Sequence, residues 1–239
     1  MITIDAKNTR FDSLNETIRN SNDDVEIVNC LGQRFIGAGL SNKSLTIKGT
    51  PGNALGAYLN GANIEIYGNV QDAVGDTMND GEIIVHGSIG DAAGYAMRGG
   101  KIFVKGNAGY RAGIHMKAYK EKIPVLVIGG TTGSFLGEYQ AGGIIIVLGI
   151  DSKKNIVGNF PCTGMHGGKM LLRSTCDKIS FPKNVNTRAA TKEDLDEVIT
   201  YIKEFCKCFG YNESEILNEK WTLVSPDSNN PYKQMYVQN

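Results

Sequence analysis

Apolar and polar residues alternate in short bursts along this chain, and the bursts repeat at a step of 19 residues. Leu45/Ile47, Ile64/Ile66, Ile83/Val85 and Ile102/Val104 fall at that step, and Ile145/Val147 and Met170/Leu172 continue the series after interruptions. Each pair reads as one face of a short strand, because alternate strand residues face opposite sides. A fixed period near 20 with one strand per unit predicts a solenoid. A third apolar column, Leu40, Leu59, Met78, Met97, Met116 and Met165, runs beside the first two. Stacked inward, the three columns bury a core that no single unit could bury alone. Thr46, Glu65, Ile84, Phe103 and Ile146 lie between the first two columns and are expected to point outward.

Glycines punctuate the same period. Gly49, Gly68, Gly87 and Gly106 mark unit starts, and Gly56, Gly75, Gly94 and Gly113 follow seven residues later. Corners of a tight coil need positive φ or close backbone approach, which glycine permits. Cys30 begins the first unit. A five-residue insertion within Lys117–Pro124 separates Gly106 from Gly130, and a loop, Ile150–Lys154, precedes a last unit at Asn155. In that unit Cys162 replaces the inner glycine. The sequence thus predicts an all-β solenoid, a parallel β-helix of about seven coils over residues 30–173. Residues 1–29 form an N-terminal cap, and 174–239 a C-terminal helical cap with an extended tail.

Caps are required because terminal coils would otherwise expose strand edges. Ser13-Leu14-Asn15-Glu16 reads as a capping box that starts a short helix with Leu14 and Ile18 on one face. Thr191 to Phe209 reads as an amphipathic helix with Thr191 as N-cap and Asp194 three residues on. Leu195, Val198, Ile199, Ile202, Phe205 and Phe209 form its stripe, Gly210 stops it, and it is expected to cover the last coil. From Trp221 the chain is rich in Pro, Asn and aromatic residues (Pro226, Asn229, Asn230, Pro231, Tyr232, Tyr236) and is expected to be extended.

Composition narrows the partners. Lys plus Arg equals Asp plus Glu at 25 each, which gives no support for nucleic acid or an anionic membrane surface. Met1-Ile2-Thr3-Ile4-Asp5 lacks the pattern of a signal peptide, and the longest apolar run, Ile144–Leu148, is far too short to span a bilayer. The expectation is a soluble cytoplasmic chain. Five cysteines at irregular spacing point to reduced thiols. Cys206 and Cys208 sit on different faces of the predicted helix and make a poor metal hook.

Candidate chemistry is sparse. His115 and His166 fall near one corner but two coils apart, roughly 10 Å at the coil spacing, too far for one metal ion. With His86 they read as surface or loop histidines. Asp72 and Asp91 stack in one column and are either a glycosidase-like pair or solvated loop residues. No phosphate-loop motif occurs, and neither Ser134 nor Thr163 has an adjacent histidine. No catalytic, cofactor-binding or metal residue is assigned. The insertion is the best partner face, since solenoid insertions become loops on one side. Lys117, Tyr119 and Lys120 from the insertion, with Arg111, His115 and His166, are the candidate contact residues. A solvated loop is the alternative.

Several motifs resemble one family. Gly-Asn-Ala-Leu-Gly (52–56), Gly-Asn-Val-Gln-Asp-Ala-Val-Gly-Asp (68–76), Asn-Asp-Gly-Glu-Ile (79–83), Gly-Tyr-Arg-Ala-Gly-Ile-His-Met-Lys (109–117), Phe-Leu-Gly-Glu-Tyr (135–139) and Thr-Gly-Met-His-Gly-Gly (163–168) are similar to the GXGXG domain. That is the C-terminal domain of the large chain of glutamate synthase. The resemblance runs from about Leu31 to Arg173 and implies a right-handed β-helix. It also implies a structural, non-catalytic role in moving the amide nitrogen of glutamine to 2-oxoglutarate. The expected partners are an amidotransferase and a synthase subunit, the latter carrying FMN and an iron–sulfur cluster. Some archaea and bacteria encode these domains as separate chains, and this one looks like such a stand-alone subunit. The family amidotransferase uses an N-terminal cysteine, whereas this chain begins Met1-Ile2. A similar domain in the C subunit of formylmethanofuran dehydrogenase offers a second complex. A polysaccharide-acting β-helix enzyme is a third possibility, from a different class.

Overall fold

The computed structural model describes residues 1–150, 152 and 155–227. Its frame is one 11-stranded sheet. The nine strands β1 (Ile2–Asp5), β2 (Val25–Leu31), β3 (Ser44–Thr50), β4 (Asn60–Tyr67), β5 (Asp80–Val85), β6 (Lys101–Val104), β7 (Val125–Ile128), β8 (Ala141–Val147) and β9 (Gly167–Leu172) pair in chain order, all parallel. Nine parallel strands make a stack of about 38 Å. The register places like on like: Leu45 pairs with Ile64, Ile64 with Ile83, Ile83 with Ile102, and Ile47 with Ile66. These inward residues are at most 1% exposed.

The count of coils is eight rather than about seven, because β2 to β9 each contribute a rung. The columns legible in the sequence lack Val25/Ile27 and Leu126/Ile128. Leu126 and Ile128 complete them between Ile102/Val104 and Ile145/Val147. Strand β7 hid because Val-Leu-Val-Ile is buried on both faces and shows no alternation. The Met column also has a polar member, Gln140, fully buried with its amide donating to the carbonyls of Gly142 (3.1 Å) and Gly143 (3.2 Å).

The opposite side of each coil is a turn with three left-handed residues at alternate positions. Ala54, Gly56 and Tyr58 have φ of 61°, 65° and 58°, and Ala73, Gly75 and Thr77 have 59°, 66° and 52°. Their amides bond alternately to the coils ahead and behind, as in Ala54 N–H to Asp72 O (2.9 Å) and Gly56 N–H to Ile36 O (2.8 Å). The middle residue is glycine for a reason of space. A Cβ on Gly56 or Gly75 would lie 2.6 Å or 2.5 Å from Cδ1 of Ile83 or Ile102, the inward isoleucine of the next coil. Cys162 holds the same conformation, with φ of 61°. It tolerates a side chain because among the described residues no further parallel coil follows, and its Sγ sits 3.5 Å from Met170 Sδ.

Each end is closed differently. Helix α1 (Phe11–Asn20) lies over the first coil with Leu14, Asn15 and Ile18 buried, and Asn15 Nδ2 donates to Arg34 O at 2.9 Å. The helix begins before the expected capping box: Arg10 is the N-cap and makes no side-chain cap bond, so Ser13 lies inside the first turn. The early start follows from Phe11, whose ring packs 6.1 Å from Phe35, and from the Arg10–Asp12 ion pair. At the far end β11 (Thr222–Pro226) pairs antiparallel with β9, and β10 (Val185–Ala189) pairs antiparallel with β11. The chain just after Trp221 is thus extended as expected, and it folds back on its own sheet as a strand with Thr222, Leu223 and Val224 buried. Asn229, Asn230, Pro231, Tyr232 and Tyr236, like Asp151, Lys153 and Lys154 of the second loop, lie outside the described residues.

The C-terminal helix is broken into α2 (Lys192–Asp196) and α3 (Ile199–Phe209), followed by α4 (Glu213–Leu217). Thr191 is the N-cap, in a reciprocal box with Asp194, and Gly210 closes α3 at φ 74°. The helices do not cover the last coil as expected, because β11 already occupies that edge. They lie on the flank, where the outward residues Phe103, Val127, Ile146 and Leu171 form a second core with Val198, Ile202, Phe205 and Trp221.

Candidate partner interface

The candidate contact residues fall on the left-handed turns and beside the insertion. Arg111 occupies the first left-handed position of its turn (φ 57°) and His115 the third (φ 56°). Their side chains meet the next coil. Arg111 Nε donates to Glu138 at 3.0 Å, and the guanidinium lies 4.9 Å over the Phe135 ring. His115 stacks on Tyr139 at 5.2 Å and meets the edge of Tyr95 at 5.9 Å. Phe135 stacks in turn on Phe160, which is 63% exposed. These ring contacts run from coil to coil and leave a short row of aromatic side chains on the turn face.

The insertion folds into a hairpin. Tyr119 and Lys122 pair antiparallel, with amide bonds of 3.0 and 3.1 Å, and Lys120 supplies the positive φ of the tip. Lys122 Nζ donates to Asp80 at 2.7 Å, which ties the hairpin to an earlier coil and lowers the Asp80 carboxyl pKa. Lys120 Nζ lies 5.3 Å over the Tyr119 ring. Beneath the hairpin runs a cleft of about 470 Å³ with Asn60, Asn79 and Arg98 on its other wall. Lys117 lies at the root of the hairpin, its amide bonded to Met97 O, one coil beyond Arg98.

The six sequence candidates therefore separate. Lys117, Tyr119 and Lys120 share the hairpin, while Arg111 and His115 belong to the turn columns. His166 lies two coils further, its Nδ1 3.0 Å from Gly164 O. Sequence reading missed Arg98, Asn60 and Asn79, although all three lie at the 19-residue step that ends at Lys117.

Other candidates turn out to be occupied. Asp72 accepts the Asp91 amide at 2.9 Å, and Asp91 accepts the Tyr110 amide at 2.7 Å, so both carboxylates bind one coil to the next. His86 is held on three sides: Nε2 is 2.8 Å from Glu65, the ring stacks on Tyr67 at 4.4 Å, and Phe209 lies edge-on at 5.2 Å. Burial pushes the Cys162 thiol up to about 12 and the Cys30 thiol to about 11, where neither ionises at neutral pH. Among the described residues no three His, Cys, Asp or Glu side chains gather as a metal site, and no helix is long and apolar enough to cross a membrane.

Stacked parallel coils, with polar side chains holding coil on coil and aromatics displayed outside, define a parallel β-solenoid. The chain belongs to the GXGXG motif family, which matches residues 5–228. It is 46% identical over 251 residues to the uncharacterized protein MJ1350 of Methanocaldococcus jannaschii, covering 99% of this chain and 96% of that one. It is also similar to a chain in the crystal structure of the formyltransferase/hydrolase complex FhcABCD from Methylorubrum extorquens in complex with methylofuran. There the TM-score is 0.63 at 20% identity, covering 91% of this chain and 88% of that one, a likeness of fold.

Proposed function

We propose that this chain is a non-catalytic structural subunit of a glutamate synthase assembled from separate chains. In that assembly an amidotransferase subunit releases ammonia from glutamine. A synthase subunit, carrying FMN and an iron–sulfur cluster, uses it to convert 2-oxoglutarate to glutamate in the cytoplasm. The observation that carries this proposal is the ordered series of family motifs along the coils, from Gly52 to Gly168. It is supported by the commitment of Asp72, Asp91 and the glycines to coil-to-coil contacts, which leaves the chain's exposed faces for partners. The hairpin face is proposed as the contact with the flavin-bearing subunit.

Co-purification from the native cell tests this. An amidotransferase and a flavin-containing synthase should come down with the tagged chain. The purified chain alone should neither hydrolyse glutamine nor bind FMN; glutamine turnover that survives replacement of all cysteines would overturn the non-catalytic role.

A second reading is a C-type subunit of a formylmethanofuran dehydrogenase-like complex. It is favoured by the fold shared with a chain of the FhcABCD complex. Companions of that type, in place of the glutamate synthase chains, would establish it.

A further inference from the structure

We infer that the cleft beneath the insertion hairpin is a docking groove for an acidic, extended segment of a partner protein. This rests on the assembly role and names the chemistry of one contact within it.

One wall is a column whose members Asn60, Asn79 and Arg98 line the cleft, with Lys117 next in the same register at the root of the hairpin. Asn60, Asn79, Arg98 and Lys117 recur at 19 residues, and their amides bond to Leu40, Leu59, Met78 and Met97 of the coils behind. Successive coils put these side chains about 4.8 Å apart, so the column offers donors over about 14 Å, the reach of four or five extended residues. Its two cations are immediate neighbours, and like charges in adjacent strands repel. Among the described residues no carboxylate pairs with either Arg98 or Lys117. Elsewhere on the stack Lys48, Lys101, Lys122, Lys169 and Arg111 each face one. The hairpin adds Lys120 and the ring of Tyr119, which is 54% exposed. Lys122 is already neutralised by Asp80, and Glu121 offsets one of the remaining charges, so the groove keeps an excess of cations. Carboxylates would neutralise that excess, the Asn60 and Asn79 amides can donate to backbone carbonyls, and Tyr119 gives an amphipathic anchor. A single small anion would engage only part of a column this long.

The test is fluorescence anisotropy with a labelled peptide of alternating Glu and Ala, titrated with the full chain at low salt. The triple variant R98Q/K117Q/K120Q should bind the peptide about tenfold more weakly, and binding to the native chain should weaken as salt rises. Its melting temperature should match the native value, and K178Q/K183Q, which removes exposed cations elsewhere, should leave binding unchanged. Equal affinity in the triple variant would overturn the proposal, as would displacement of the peptide by an equal concentration of inorganic pyrophosphate. Co-purification is scored separately. If the native chain recovers no partner, the assembly role falls whatever the peptide result; if partners are recovered but peptide binding ignores the cleft, only the groove falls.

Discussion

The outward sides of the front and rear coils share a backbone and differ in everything else. In the front coils the column between the inward pairs reads Glu26, Thr46, Glu65 and Ile84, and all four are partly exposed. In the rear coils the same column reads Phe103, Val127, Ile146 and Leu171, and all four are fully buried under the C-terminal helices. The front carboxylates find local partners: Glu26 pairs with Lys48 at 2.7 Å, and Glu65 accepts Tyr67 Oη at 3.0 Å. The inward columns barely change along the stack. Inward residues therefore specify that a coil forms, while the outward column specifies what covers it.

Substitutions should separate the two roles, and the largest contrast lies within one strand. Ile83→Asp puts a carboxylate into the inward core and should cost several kcal/mol, whereas Ile84→Asp, one residue on and half-buried, should cost far less. Urea denaturation of both variants measures the difference, and equal losses would contradict the register. Front and rear are compared next. Phe103→Ala should cost about 3–5 kcal/mol and loosen α3, whereas Ile84→Ala in the same column should cost about 1 kcal/mol or less. Hydrogen exchange at Ile202–Phe205 should rise only in the first.

Two glycines of equal φ give a finer contrast. A Cβ on Gly75 meets Ile102 Cδ1 at 2.5 Å, while one on Gly94 stands 3.8 Å from Leu126. Gly94→Ala should cost only the left-handed penalty of about 1–2 kcal/mol, and Gly75→Ala should exceed it by about 1 kcal/mol or more. Matching losses would show that conformation, not space, selects glycine there.

The smallest expected effect is electrostatic. Hydrogen bonding to Lys122 lowers the Asp80 pKa in the folded state. Its contribution is therefore present above the unfolded carboxylate value and is lost as pH falls through the folded one. Both side chains are nearly half exposed, so Asp80→Asn should cost below about 1 kcal/mol at neutral pH and nothing once Asp80 is protonated. Exchange protection of the hairpin amides of Tyr119 and Lys122 should follow the same pH dependence.

Much of the architecture was legible because a solenoid repeats its instructions. Three columns and the glycine step located the inward face of most coils. Strand β7 escaped because burial on both sides removes the alternation that marks a strand. The helix flank escaped for a related reason: Phe103 and Ile146 were seen as outward, but only tertiary contact says that outward is covered. Thr191 and Gly210 were readable because their side-chain and backbone requirements are local. The basic cleft was half legible. Lys117 to Lys120 stood out as an insertion, while Arg98 and the two asparagines became part of it only once the coils were stacked.

Antiparallel pairing of β11 with β9 has a consequence for how large such a molecule can become. Parallel coils are interchangeable templates, and an uncovered final coil would accept another of its kind, from its own chain or from a neighbour. A strand running the other way offers the wrong hydrogen-bond pattern for a further parallel coil. It ends the series as a stop codon ends a message. Cys162 is the matching mark in the sequence, the place where the spacing rule lapses because, among the described residues, no further parallel coil stacks against it. Coils copied into the middle would lengthen the molecule, while any copied past Cys162 would need a glycine restored there first.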